Sequence, residues 1–202
     1  MNSNSKLNEI KNSIYKCTNQ FLKIEVSDVP IEYVNDLEFF RYLKSNSHLS
    51  PEYFEIEDVN LFYRMSCEIT PGIYKYREKK VIIKTENKFD SCLLLTELIH
   101  SKSITQFYQV TEKWIKEGLP HYIAKVICKK CKFSYRDSTH KEFFPLWEFI
   151  HKKHGFDVLI TILYPIDIKF TKKTLKLIFN YNKEDILEIT FEKAQDLLFN
   201  QN

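Results

Sequence analysis

A single α+β domain, with a small mixed sheet first and helices after it, is predicted from three observations. Strand-like alternation is confined to the stretch before residue 85, and a helical apolar period runs from Phe89 onward. No internal repeat or low-complexity linker divides the 202 residues. At 44% hydrophobic residues the chain has enough apolar side chains for a core, which excludes a wholly disordered chain.

The elements follow in order. Residues 1–20 read as a polar helical lead-in, with Leu7, Ile10, Ile14 and then Phe21 at helical spacing. Residues 21–26 (Phe-Leu-Lys-Ile-Glu-Val) alternate and predict a strand. Residues 36–43 have an acidic start and a helical apolar period, so a short helix is expected. A polar break covers residues 45–51, and residues 53–67 alternate loosely, as a strand would. Thr70-Pro71-Gly72 is a turn signal, followed by two short strands at residues 73–76 and 81–84. Asp90 is placed to cap a helix over residues 91–102. Residues 107–126 form a long amphipathic pattern in which Pro120 either kinks the helix or lies in the first turn of a new one. A helix at residues 143–154 is ended by Gly155, and residues 178–199 hold one or two more.

Composition removes several function classes. Glycine occurs 3 times, where average usage of roughly 7% would give about 14, so glycine-rich nucleotide loops are excluded by supply. The 30 basic residues are mostly lysine, are spread along the chain and face 27 acids, leaving a net charge of +3. Nucleic-acid binding wants a clustered, often arginine-rich face; the densest run, Lys125, Lys129, Lys130 and Lys132, reads as a solvated helix end. No run of roughly 18 apolar residues is present, so no membrane span is expected, and a cytoplasmic location is the default expectation. Five cysteines, an odd number in a long chain, argue against a secreted disulfide framework. Cys128 and Cys131 form a lone C-x-x-C without a second pair, so two thiols on successive helical turns are expected there.

Two stretches carry chemistry. In Thr96-Glu97-Leu98-Ile99-His100, Glu97 and His100 are three apart and share a face of an otherwise apolar helix. A carboxylate there is costly unless it is paired or bound to a cation. The second stretch, Trp114-Ile115-Lys116-Glu117-Gly118-Leu119-Pro120-His121-Tyr122, has a glutamate followed by glycine and leucine within an aromatic frame.

Together the two stretches resemble the gluzincin metallopeptidases, and most closely the peptidase MA-like families. Those carry His-Glu-x-x-His on one helix and a Trp-Leu-x-Glu-Gly-Leu-Ala-Glu-Tyr-like segment on the next. The resemblance implies a zincin-like fold over residues 21–198, with an active-site helix, a glutamate helix and C-terminal helices. The strand at residues 81–84 would be the edge strand above the cleft. It also implies zinc as cofactor, peptides or proteins as substrates, Glu97 as general base, and His100 and Glu117 as metal ligands.

The chain departs from that pattern at two places. Thr96 stands where the family has its first histidine, and a neutral hydroxyl is a poor zinc ligand. His121 stands where the family has an acid, four residues after Glu117 and on the same helical face. The expected site is therefore a rearranged one, with His100, Glu117 and His121 as ligands and Glu97 beside them. Two functional classes stay open: a zinc-dependent peptide hydrolase, or an inactive peptidase-like module that holds a peptide or protein along the edge strand. Of the remaining histidines, His140, His151 or His154 could approach the cleft, and His48 lies in a polar loop. Tyr122 and Trp114 are expected to pack rather than to react.

Overall fold

The computed structural model describes residues 3–44, 66, 68, 70–75, 78–103, 110, 112–135, 138, 140–165 and 167–199. The polar break, the strand expected at residues 53–67, and His48 and Cys67 lie outside or almost outside these residues. The fold is mixed α and β, mostly helical, with one three-stranded sheet among the described residues.

The sheet is built from β1 (Ile31–Val34), β2 (Gly72–Lys75) and β3 (Lys80–Lys84), in the order β1-β3-β2. β3 pairs parallel with β1, Ile31 opposite Val81, and antiparallel with β2, Gly72 opposite Ile83. The strand at residues 81–84 is therefore central, and the edge-strand expectation is corrected: among the described residues the edge beside the helical layer is β2. The physical reason lies in composition. Val81, Ile82 and Ile83 are all buried, which suits a strand covered on both faces rather than a rim. Side chains alternate across the pleat, so Val81 and Ile83 join the main core while Ile82 packs with Val34, Phe39 and Leu43. Phe39 and Leu43 come from α2 (Asp36–Lys44), which covers the second face.

The helix α1 (Ser3–Leu22) absorbs the first two residues of the expected strand at residues 21–26, which does not form. Leu22 continues the apolar spacing of Ile14 and Thr18, all three buried, and the chain leaves the helix through Lys23 at φ 54°. Tertiary burial of one helical stripe outweighs the local alternation. β1, which follows Pro30, was not anticipated.

The helical layer contains α3 (Ser91–Lys102), α4 (Leu119–Cys131), α5 (Phe144–His154), α6 (Phe156–Leu163), α7 (Ile168–Phe179) and α8 (Phe191–Phe199). Within the described part of the long pattern at residues 107–126, Trp114–Gly118 forms a π-helical turn that runs directly into α4. Gly155 ends α5 at φ +86°, a conformation L side chains rarely adopt. α6 and most of α7 lie upstream of the helices expected at residues 178–199. The α6 segment Phe-Asp-Val-Leu-Ile-Thr-Ile-Leu is rich in β-branched residues, and it is helical because Leu159, Ile162 and Leu163 are fully buried in the core.

The cysteine expectation is overturned. Cys92 on α3 is bonded to Cys128 on α4, and Cys17 on α1 is bonded to Cys131 at the end of α4. The lone C-x-x-C is thus a branching point that ties one helix to two others. Its partners lie 36 and 114 residues away in sequence, so no local spacing could announce them.

Candidate functional site

The site sits between α3 and the segment that opens α4. α3 is started by Asp90, whose carboxylate accepts the backbone N–H groups of Cys92 at 3.0 Å and Leu93 at 2.9 Å. Every residue from Leu94 to Ser101 is buried, so Glu97 and His100 are carried into the interior by the helix around them. Thr96 is buried too, and its hydroxyl donates to the Cys92 carbonyl at 2.8 Å, one turn back along α3. That hydroxyl serves the helix backbone.

On the second element Pro120 shapes the local structure. Its ring has no N–H and would crowd the carbonyl four residues earlier in a regular helix. The wide π turn at Trp114–Gly118 meets that constraint, and π turns recur where a functional side chain must be displaced from helical register. Glu117 lies in this turn and His121 on the first α-helical turn after it. Gly118 is required by close approach: a Cβ there would stand 2.7 Å from the Cβ of Phe143. Trp114 is buried, stacks on Trp147 at 5.3 Å and donates its indole N–H to the Ile189 carbonyl at 2.9 Å. It anchors the turn to α5 and to the chain before α8, as a packing residue.

His100, Glu117 and His121 converge. One donor atom from each lies within 4.8 Å of the others, a group that could hold a metal ion. His100 Nε2 and Glu117 Oε2 are 3.5 Å apart. Tetrahedral ligands about 2.1 Å from an ion are about 3.4 Å from one another, so this pair already stands at ligand separation. The His100 and His121 rings meet edge to face at 5.6 Å between centroids. His121 Nδ1 lies 2.9 Å from Ser138 Oγ, so Nε2 is the His121 atom left to face an ion.

Electrostatics suit a cation. Burial holds the His100 imidazole below its ordinary pKa, against the pull of Glu117. Burial also takes His121 well below the ordinary value, and the neighbouring His100 and His140 rings push the same way. Both rings are therefore neutral at neutral pH, with a lone pair to offer. Glu97 is pushed up to about 8, by burial first and then by Glu117, while its carboxyl accepts the Tyr74 backbone N–H from β2. That hydrogen bond ties the carboxyl on α3 to β2.

No family model matches the chain, and no curated protein or solved structure matches it either. The structure brings three of the four expected residues together, His100 from α3 with Glu117 and His121 from the turn and α4, and sets Glu97 where it feels the charge of Glu117. Of the downstream histidines His140 approaches, its ring 4.9 Å from that of His121. His151 instead meets the Tyr122 hydroxyl at 2.9 Å, which places Tyr122 away from the donors and in a packing role. Sequence reasoning missed Ser138 and the Tyr74 N–H. A lone serine and a backbone amide carry no pattern that would have revealed them.

Proposed function

We propose that the chain is a zincin-like, metal-dependent peptide hydrolase with a rearranged ligand set: His100, Glu117 and His121 bind the ion and Glu97 is the general base. The observation that carries this reading is the convergence of two neutral imidazoles and a carboxylate beside a second, buried carboxyl. A two-histidine, one-carboxylate set suits zinc and leaves a fourth position open. An ion held there would supply Lewis acidity to a substrate carbonyl and acidify a water.

The remaining steps belong to the chain. Glu97 removes a proton from the attacking water and returns it to the leaving amine, so that one carboxyl serves as base and then acid. Its pKa of about 8 is that of the metal-free chain; a nearby dication favours the ionised form that a base needs. The substrate lies along the outer edge of β2. Lys84 donates its N–H to the Pro71 carbonyl at 3.0 Å, so by the antiparallel alternation Gly72 and Tyr74 turn their backbone groups away from β3. The outward Tyr74 N–H already goes to Glu97, so an extended peptide beside β2 would pair through Gly72 and pass in front of Glu97.

A second reading is an inactive module that holds a peptide on the same edge without an ion. The observation favouring it is Thr96, whose hydroxyl is spent on Cys92. No described helix is long and apolar enough to cross a membrane. The two disulfides support an oxidising setting over the cytoplasm that was the default expectation.

Metal analysis of the purified protein decides between the readings. The hydrolase reading expects one zinc per chain, loss of it in His100→Ala and His121→Ala, and retained zinc with lost peptide hydrolysis in Glu97→Gln. A folded chain that takes up no zinc in excess metal sinks the hydrolase reading. Peptide binding that survives Glu97→Gln in the metal-free chain then favours the module.

A further inference from the structure

Among the described residues, the hydrogen bond that orients the His121 ring comes from outside its own helix. His100 approaches from one side, ring centroids 5.6 Å apart, and His140 from another, at 4.9 Å. Both contacts are edge-to-face and constrain the plane of the ring, but neither holds a nitrogen. One hydrogen bond does: Ser138 Oγ to His121 Nδ1, 2.9 Å. The same oxygen accepts the backbone N–H of His140 at 3.0 Å, which ties Ser138 to the segment that leads into α5.

We propose that Ser138 is a positioning residue for the metal site: it holds His121 so that Nε2 faces His100 and Glu117. The inference rests on the metal-site reading above. A serine oxygen has two lone pairs and one proton. With one lone pair on the His140 N–H, the other can accept from His121 Nδ1–H. That tautomer puts the Nε2 lone pair toward the donors, as a ligand requires. The opposite tautomer, with Ser138 donating to Nδ1, would put a proton where the ion belongs. An ion bound at Nε2 therefore selects the arrangement in which Ser138 accepts. Orienting partners of this kind typically change metal affinity by roughly 10–100-fold.

Ser138 is itself partly exposed, so two variants of equal shape separate the hydroxyl from the bulk of the side chain. Zinc and cobalt(II) affinities are measured by competition titration on native protein, Ser138→Thr and Ser138→Val, with thermal unfolding of each metal-free protein as the folding control. Ser138→Thr is expected to keep native affinity and the native cobalt spectrum. Ser138→Val is expected to bind roughly 10–100-fold more weakly, with a changed cobalt spectrum and a His121 ring that no longer shows a single Nδ1–H tautomer by ¹⁵N NMR. Native affinity and spectrum in Ser138→Val overturn the role of Ser138 and leave the metal site standing. A native chain that binds neither metal overturns the metal-site reading, and this inference with it.

Discussion

The seam between α3 and α4 has two ends, and they are joined by different chemistry. At one end Cys92 and Cys128 form a disulfide with Cα atoms 6.0 Å apart. At the other, His100 faces Glu117 and His121. On α3 the two features are eight residues apart, and on α4 Cys128 is seven residues beyond His121. Both spacings are about two helical turns, so each helix presents both features on one face. The lesson is that one packing geometry makes side chains converge at both ends. The residue types then decide whether the link is covalent or an exchangeable ion. Thr96 lies between the two ends, with its hydroxyl bonded back toward the disulfide end.

Removing the covalent end gives the largest expected effect. Cys92→Ala combined with Cys128→Ala opens a 36-residue loop and is expected to lower stability by about 4 kcal/mol on the chain-entropy argument. Denaturant unfolding measures it. If both ends clamp one seam, zinc should raise the melting temperature of this variant; an unchanged temperature would break the parallel between them.

Glu97 gives a pH-dependent effect at the other end. Its folded pKa of about 8 lies above the ordinary value of 4.5, so the folded metal-free chain holds more protons than the unfolded one in that window. Its contribution to stability is full below about pH 4.5 and is lost as pH rises through about 8. Glu97→Gln removes that loss, so its stability advantage over the native chain should grow from about pH 5 to about pH 9. Unfolding curves across that range with chelator present check this. Added zinc should narrow the difference.

Gly118→Ala places a methyl group against Phe143 and is expected to cost about 1–3 kcal/mol. Because the strain falls in the turn that carries Glu117, zinc affinity should drop as well, which a titration on the folded variant would show. The smallest effect is expected from Tyr122→Phe. It removes the hydrogen bond to His151, worth about 1 kcal/mol, and should leave zinc affinity unchanged. A loss of metal in that variant would mean that the far side of α4 also governs the site.

Much of the site was legible before the fold. Glu97, His100, Glu117 and His121 stand at helical spacings within two short stretches, and helical spacing is a local property that burial does not alter. The helix at residues 91–102, its Asp90 cap and the strand pair around residues 78–79 were legible for the same reason. The expected strand at residues 21–26 and the unanticipated helix α6 were not, because burial in the shared core decided both. Sequence pattern also could not rank β2 and β3: which strand is central depends on β1 pairing with β3.

The sequence by itself determined which donors exist, how they are spaced along each helix, and that a threonine replaces the first expected histidine. Only the tertiary structure decided that His121 meets His100, that Ser138 holds its other nitrogen, and that Cys128 finds Cys92 rather than remaining a thiol. The reason is one of range. Spacing within a helix is set by backbone geometry over a few residues. Convergence between helices is set by how the buried faces of α1, α3, α4 and α5 pack into one core.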